Sequence, residues 1–392
     1  MKFIYFSFFL IFDLALSFTH NALLKISMLD DTINTSMAIR NATTSSNPNL
    51  DTQTLIQSLI EENWEELFVA GPIMVNCISN LMISASKKDF PLKSSSLNHV
   101  YQYIIYPNSF RATLAQIHSE MYSVFLRGHT NMDSIQLSMK QIPQYFKTIL
   151  KVLKSASPNL IQRMVTTPLD NIEKMAKDSV ALTNIMIKKY ENLTLLLQET
   201  IEVATRSCGV NSTFLTNINI LVNITTQVNK LQQQWSQITR YSNQIIIRVE
   251  TIRETAFYEL IDTIKNVTSM NSELTAADRE VFFLKMRDTM IEIEQDAYLL
   301  YITTKTYYDV SATYVALQLQ NASRLLVLQT DTERQTTMTQ LDQNMLFALA
   351  EISQMVSERK QQCQQRNQEI QEEYKQFIQQ MMFDELTAGI GK

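Results

Sequence analysis

Glycine and proline, the two residues that most often end helices, are scarce in this sequence. The chain has 392 residues and only five glycines, although about 7% of residues are usually glycine. All seven prolines lie at or before Pro168, so the following 224 residues contain none. Long uninterrupted helices are therefore expected after this point. The same scarcity argues against glycine-rich phosphate loops and strained nucleophile turns.

Catalytic and metal-binding patterns are also lacking. The chain contains four histidines and three cysteines, and none of them has a metal-site spacing such as H-E-x-x-H or C-x-x-C. No serine or cysteine lies in a nucleophile motif. The carboxylates Glu292, Glu294 and Asp296 are expected on a solvated helix face. The sequence therefore predicts no enzyme, no metal and no cofactor.

Basic segments are missing as well. Lys and Arg total 34 against 39 Asp and Glu, which gives a formal net charge of −5. A mildly acidic chain without a basic block binds nucleic acid or an anionic membrane poorly. No segment after the N-terminus has about 18 unbroken apolar residues. The mature chain is therefore not expected to span a membrane.

The N-terminus has the pattern of a secretory signal. Lys2 precedes an apolar run over residues 3–12, and Ala15-Leu16-Ser17 offers small residues before a cleavage position. The run is shorter than the roughly 20 residues of a spanning helix, which favours cleavage over an uncleaved anchor. We predict a signal peptide over residues 1–17 and a secreted, extracellular mature chain.

Seven asparagines after this signal lie in the N-x-S/T pattern that accepts N-glycans. Each triplet alone is weak evidence, but triplets that follow a secretory signal support one another. The predicted glycosylation sites are Asn34, Asn41, Asn192, Asn211, Asn223, Asn266 and Asn321.

Composition divides the rest of the chain into three regions. Residues 18–54 are rich in Ser, Thr and Asn and predict a disordered arm. Residues 55–168 contain six of the seven prolines and predict several short helices. Residues 169–388 predict a bundle of long helices with coiled-coil packing. The expected fold class is all-α, an elongated antiparallel bundle preceded by a smaller helical region.

A helical hairpin is predicted at the start of the long-helix region. A helix from about Asp170 to Ser207 should end at Gly209, and Ser212 or Thr213 should cap the next helix. That second helix has a heptad repeat in which eleven of thirteen seam positions are apolar. The seam consists of Phe214, Asn217, Leu221, Ile224, Val228, Leu231, Trp235, Ile238, Ser242, Ile245, Val249, Ile252 and Ala256. A four-residue register slip to Leu260, Val267 and Met270 follows, which locally unwinds a supercoil.

A third helix should return antiparallel to the second, after a break near residues 271–275 that Thr275 caps. Facing residues would then place Trp235 against Tyr307, Val310 or Tyr314, with its indole N–H on a polar partner or water at the edge of the seam. A fourth helix should begin near Thr330. Two spines are predicted in these helices: Phe283, Met286, Met290, Ile293, Ala297, Leu300, Tyr307 and Tyr314, followed by Leu349, Val356, Cys363, Ile370 and Phe377.

The three cysteines suggest at most one internal disulfide. Cys208 and Cys363 should lie about 48 Å apart along the helices, far beyond the reach of about 7 Å between bridged Cα atoms. The expected pair is Cys77 with Cys208 or with Cys363. Two alternatives stay open, namely a free buried cysteine and a homodimer through the C-terminal helix in which Cys363 meets its symmetry mate.

Two functional hypotheses fit these features. The first is a secreted, N-glycosylated helical protein with a structural or protein-interaction role. The second is an extracellular carrier of lipid or another apolar ligand between amphipathic helices. A lipid-binding helix needs a broad apolar face with flanking Lys and Arg, whereas the heptad helix has a narrow apolar stripe. The sequence therefore favours the first hypothesis.

Overall fold

All the regular secondary structure in the described part of the chain is helical. The computed structural model describes residues 64–92, 100–207, 212–270, 272 and 274–390, and their side chains except those of 207, 212–214, 276 and 381–390. No strand occurs in these residues, so the predicted all-α bundle is confirmed. The predicted signal peptide and the predicted arm lie outside the described residues.

Ten α-helices follow one another along these residues. They are α1 (Trp64–Phe68), α2 (Ala70–Lys87), α3 (Phe110–Met139), α4 (Ile142–Ser155), α5 (Pro158–Ser207), α6 (Ser212–Ile252), α7 (Tyr258–Ser269), α8 (Ala276–Val310), α9 (Leu317–Ala322) and α10 (Asp331–Ile390). Two π-helical segments, Arg253–Phe257 and Ser311–Ala316, and one 3₁₀ segment, Ser323–Val327, join consecutive helices.

The predicted hairpin of α6 and α8 is present. Trp235 contacts Tyr307 and Arg248 contacts Glu292, so residue numbers rise along one helix as they fall along the other. Thr275 caps α8 with a capping box, since its side chain accepts from the Asp278 amide and Asp278 accepts from the Thr275 amide. The predicted break and the antiparallel return are therefore both confirmed.

The heptad assignment in α6 is confirmed position by position. The twelve seam residues whose side chains are described, from Asn217 to Ala256, are all buried. Phe214 lies outside the described side chains. The helix pairs with α5 along most of its length, where the Thr239 hydroxyl donates to the Thr183 hydroxyl at 2.8 Å. The narrow apolar stripe therefore forms the seam between α6 and its neighbours.

A π-helical turn lies where the heptad register was predicted to slip. It spans Arg253–Phe257, directly before Leu260. A π turn contains about one residue more than an α turn, so Ile252, Ala256, Leu260 and Ile264 can all face the core at four-residue spacing. The extra residue in the turn thus keeps the apolar stripe facing the core across the slip. The predicted continuation of the seam is confirmed at Leu260 but wrong at Met270, which is 75% exposed, because the buried stripe continues four residues on, at Ile264.

Helix α5 begins earlier than the sequence predicted. It starts at Pro158 rather than near Asp170, and Pro168 lies within it. A proline in a helix interior removes one hydrogen bond and costs about 3 kcal/mol. Pro168 is itself buried, with buried Val165 and Leu169 beside it. Packing on both sides of the proline therefore offsets the lost hydrogen bond. For this reason Pro168 does not mark the boundary of the helix.

Helix α8 is enclosed by other helices rather than packed along one stripe. It contacts α3, α4, α6 and α10, and the five consecutive residues 293–297 are all buried. Two of its buried hydroxyls are satisfied within the helix, since Thr304 donates to the Leu300 carbonyl at 2.6 Å and Thr306 to the Ile302 carbonyl at 2.7 Å. The buried Thr303 hydroxyl has no hydrogen-bond partner among the described residues. The whole predicted spine of α8 is buried, together with residues outside that spine.

Trp235 is part of a buried aromatic cluster between α3, α5, α6 and α8. Its ring packs edge-on against Tyr307, with 5.7 Å between ring centroids. The predicted contact is confirmed. The predicted polar partner or water for the N–H at the seam edge is wrong, because Trp235 is fully buried and its Nε1 has no hydrogen-bond partner among the described residues. The Tyr190 and Tyr307 hydroxyls lie 3.2 Å apart beside it. Burial raises the pKa of Tyr190 to about 12.

Gly128 of α3 provides a test of this packing. A Cβ at this position would lie 2.9 Å from the Tyr307 hydroxyl oxygen and 3.3 Å from Trp235. Gly128→Ala should therefore destabilise the protein by about 1–3 kcal/mol, although Gly→Ala in a helix usually stabilises by roughly 1 kcal/mol. Denaturant unfolding of Gly128→Ala measures the sign. The same change in a Tyr307→Phe background should cost less, and a stabilising effect in the wild-type background would contradict the close contact.

One stretch of the described chain, Trp64–Lys87, has the length and apolar composition of a membrane-crossing helix. Its mean hydropathy is 1.7, and 67% of the window is buried inside the bundle. It forms α1 and α2, which pack against α6 and α10. The apolar composition is therefore accounted for by burial against neighbouring helices.

Candidate functional site

The predicted glycosylation sites that the structure describes all face water. Asn192, Asn223, Asn266 and Asn321 lie on four different helical elements, and each is exposed. Asn34, Asn41 and Asn211 lie outside the described residues. Exposure of the asparagine is needed for a sugar in the folded protein. These four side chains could each hold a glycan without displacing core residues.

Asn223 has a neighbour that an attached sugar would have to accommodate. Its Nδ2 donates to the Cys77 sulfur at 3.3 Å, and its Oδ1 accepts from Gln227 at 2.9 Å. A glycosylated asparagine keeps one N–H on Nδ2, so the contact with Cys77 requires no free NH₂ group. The position is compatible with a glycan that projects away from α2.

Cys77 and Cys363 are both free, so the predicted pair between them is wrong. Cys77 lies on α2 next to Asn76, whose side chain donates to Asp342 of α10 at 3.0 Å. Cys363 is 21 residues farther along α10 than Asp342, which is about 31 Å at 1.5 Å per residue. Burial raises the pKa of Cys77 to about 11 and that of Cys363 to about 12. Cys208 lies outside the described residues.

The predicted seam of α10 faces the chain's own bundle. Val356, Cys363 and Ile370 are buried, Leu349 is half-buried, and Phe377 packs on Phe283 of α8 with 5.2 Å between ring centroids. A homodimer through the C-terminal helix would therefore have to use the opposite, glutamine-rich face of α10. A Cys363 bond to a symmetry mate has no access from that face.

An irregular loop between α2 and α3 is held by side chains of α3 and of the distant helix α5. We define the clamped loop as residues 100–107. The Glu199 carboxylate of α5 accepts from three consecutive backbone amides, those of Gln102, Tyr103 and Ile104, at 2.7, 2.7 and 2.8 Å. These three backbone N–H groups belong to no helix or sheet. The single Glu199 carboxylate therefore supplies the acceptors that regular structure would otherwise provide.

Side chains of α3 complete the clamp. The Gln116 amide accepts from the Ile105 amide at 3.0 Å and donates to the Tyr103 carbonyl at 2.8 Å. The Thr113 hydroxyl donates to the Tyr106 carbonyl at 3.0 Å. Hydrogen bonds to five consecutive residues, 102–106, therefore fix the backbone of the loop without regular secondary structure.

The clamped loop presents apolar side chains to water. Val100, Ile105 and Tyr106 are 79%, 66% and 52% exposed, whereas Ile104 is buried and anchors the loop. Sequence reasoning missed this site because Glu199 lies 92 residues from Pro107 in the chain. The only local signal was Pro107, which marks a loop without indicating what holds it. An ordered loop with exposed apolar side chains is suited to contact another molecule.

The carboxylates predicted on a solvated face are mostly inside the bundle. Glu294 and Asp296 are each only 3% exposed, so that expectation is wrong for both. They are buried because α8 is enclosed on all sides. Arg248 of α6 pairs with Asp296 and also binds Glu292 at 2.8 Å. Burial lowers the pKa of Arg248, an effect that the charge and the hydrogen bond of Glu292 oppose.

The described histidines have structural roles. The His118 ring lies 2.7 Å from the Leu319 carbonyl, and His129 stacks on Tyr308 with 4.0 Å between centroids. Burial lowers the pKa of His129. Across the residues that the structure describes, no three His, Cys, Asp or Glu side chains come together as metal ligands.

Two cavities bear on ligand binding. An open groove of about 780 Å³ lies between α5 and α7, with lining side chains that include Arg163, Phe257 and Tyr258. A cavity of about 10 Å³ lies inside the bundle beside Gln234 and Ser311. The internal cavity is far smaller than the 300–1,000 Å³ or so typical of ligand sites.

The chain was compared with protein-family models, with curated proteins and with solved structures, and no match was found in any of the three.

Proposed function

We propose that this chain is a secreted, N-glycosylated helical protein that acts by binding a protein partner through the clamped loop. The observation that carries the proposal is the fixed backbone of this loop, from which Ile105 and Tyr106 project into water. The N-terminal signal pattern and the exposure of the four described sequon asparagines support the extracellular part of the proposal.

Preorganisation is the physical reason for assigning binding to this loop. Ordering a loop upon association costs conformational entropy, and a loop that is already fixed avoids that cost. The clamp from Glu199 and Gln116 supplies this order in the free protein. Exposed Ile and Tyr side chains on a rigid backbone can then fill an apolar pocket of a partner, as interface anchors do.

The lipid-carrier alternative has weaker support. A carrier needs an apolar cavity that encloses most of its ligand. The groove between α5 and α7 is open, and Arg163, Asn159, Gln162 and Thr166 supply much of its lining. The heptad seam of α6 is filled by the chain's own side chains.

Glycosylation can be tested directly. The protein expressed in a secretory host should appear in the medium with an N-terminus near Phe18 and should lose several glycans on enzymatic deglycosylation. Intact-mass measurement before and after treatment, with Asn192→Gln and Asn266→Gln variants, would assign individual sites. Each variant should lose one glycan mass at an exposed position. An unchanged mass, or an N-terminus at Met1, would contradict secretion.

Partner binding can be tested by comparing two isoleucine variants. Ile105→Ser removes an exposed apolar side chain from the clamped loop, whereas Ile247→Ser removes one that is 61% exposed on α6. Proteins captured from the native extracellular fluid by the wild type and by Ile247→Ser, but not by Ile105→Ser, would support the proposal. Binding of the purified partner should fall about tenfold or more, as expected for loss of an interface anchor.

Two further outcomes of the comparison separate the hypotheses. Identical capture by all three proteins would overturn the assignment of binding to the loop. As a control for folding, the two variants should have equal melting temperatures. Both positions are exposed, and such substitutions usually change stability by less than about 0.5 kcal/mol. Binding of a fluorescent fatty acid, unaffected by Ile105→Ser, would instead favour the carrier.

A further inference from the structure

A buried carboxyl group joins α8 to the C-terminal half of α10. Glu294 and Tyr374 are both almost fully buried, and the Tyr374 hydroxyl donates to Glu294 Oε1 at 2.9 Å. The second oxygen, Oε2, is buried and has no hydrogen-bond partner among the described residues. A carboxylate in this position would have one oxygen stabilised and one unsatisfied, which is costly away from water.

The charged groups around Glu294 do not neutralise it. Arg366 of α10 attracts a negative Glu294, but it pairs with Glu373 and with Glu369. Glu373 also repels a negative Glu294, while Lys147 of α4 attracts it. On the opposite side, Arg248 of α6 is engaged by Glu292 and Asp296. No ion pair to Glu294 therefore forms within the described residues.

This environment favours the neutral form of Glu294. Burial raises its pKa from 4.5 to about 7, although the Tyr374 hydrogen bond and the charges of Arg366 and Lys147 act in the opposite direction. Tyr374 has its own pKa raised, by burial first and then by the nearby Glu294. Tyr374 therefore remains the donor, and Glu294 is the group whose charge changes near neutral pH.

We propose that Glu294 and Tyr374 form an acid-stabilised latch, in which neutral Glu294 holds the C-terminal half of α10 against α8 and ionised Glu294 loosens it. Few apolar side chains hold this part of α10 against the bundle. They are mainly Cys363, Ile370 and Phe377, which packs on Phe283. The proposal concerns the fold itself and does not depend on secretion or on the clamped loop.

The direction of the pH effect follows from proton linkage. When this part of α10 is released, Glu294 reaches water and regains its ordinary pKa of 4.5, whereas the docked form titrates near 7. The docked form therefore binds more protons between these values. The stabilisation is complete below pH 4.5 and is lost as the pH rises through about 7.

Amide hydrogen exchange of the full-length chain tests the latch. Between about pH 5 and pH 8, protection of peptides from residues 363–380 should fall by about tenfold or more after correction for intrinsic exchange, since one pKa unit corresponds to a factor of ten. Protection of α6 should stay constant. In Glu294→Gln, which cannot ionise, the C-terminal peptides should keep the same protection across this range.

Two further variants make the test specific. Glu351 of α10 accepts a hydrogen bond from Tyr314, but it is exposed, so Glu351→Gln should leave the wild-type pH dependence unchanged. Tyr374→Phe removes the hydrogen bond that favours the charged form and should move the transition to higher pH. If Glu294→Gln does not fold, the shift of the pH transition in Tyr374→Phe tests the latch by itself. A pH dependence that survives in Glu294→Gln, or a Tyr374→Phe transition that does not move, would overturn the latch.

Discussion

Ile238→Asp should lower the free energy of unfolding by about 4 kcal/mol, because it places an unpaired charge in a closed core. Ile238 is a heptad position of α6 and has no exposed surface in the structure. The flanking seam positions, Trp235 and Ser242, are also buried and neither supplies a positive charge that could pair with the new carboxylate. Chemical denaturation monitored by circular dichroism measures the change.

A matched substitution on the same helix serves as the control. Ile247 lies two turns or so farther along α6 and is 61% exposed. Ile247→Asp makes the same chemical change in water and should alter stability by less than about 0.5 kcal/mol. Equal midpoints for the two variants would show that the assignment of the heptad seam is wrong.

Arg248→Met should lower the free energy of unfolding by about 3–5 kcal/mol, the usual cost of removing one partner of a buried ion pair. Arg248 is the cation that pairs with Asp296, whose side chain is only 4% exposed. Without Arg248, Asp296 must keep a buried charge with no partner or take up a proton. Glu292 loses the same partner, but at 37% exposure its charge can be solvated.

A second substitution should recover most of this loss. Replacing a buried ion pair by apolar residues is often neutral, so Arg248→Met combined with Asp296→Leu should be clearly more stable than Arg248→Met alone. Arg287→Met tests the same residue change at a more exposed pair with Asp288, where about 1 kcal/mol or less is expected. If the double variant is less stable than Arg248→Met, the cost does not arise from an unpaired Asp296.

Local and periodic features of the fold could be predicted from the sequence. The buried face of the heptad helix, from Asn217 to Ala256, could be identified from the sequence alone. A coiled-coil seam repeats apolar residues at two of every seven positions, and this repeat is visible in the chain. Capping at Thr275 depends on residues three apart in the chain. The contact of Trp235 with Tyr307 followed from the position of the turn alone, because an antiparallel return pairs residues at equal distances from it.

The candidate site could not be predicted in the same way. The clamped loop depends on Glu199, which is far from residues 100–107 in the chain and has no local pattern that distinguishes it from a surface glutamate. Exposure of the sequon asparagines was partly predictable, since Asn223 falls on the outer face of the α6 heptad. The intact-mass measurement determines which of the triplets carry a glycan.

The sequence by itself determined the helical class, the seam of α6 and the turn between α6 and α8, because these depend on periodicity and on nearby residues. Tertiary structure alone decided that α8 is enclosed on all sides, so that Glu294 and Asp296 are buried although their sequence pattern resembles a solvated face. It also decided that α5 continues through Pro168. In both cases neighbouring helices supply packing energy that outweighs the local preference, and no local pattern records how many neighbours a helix will have.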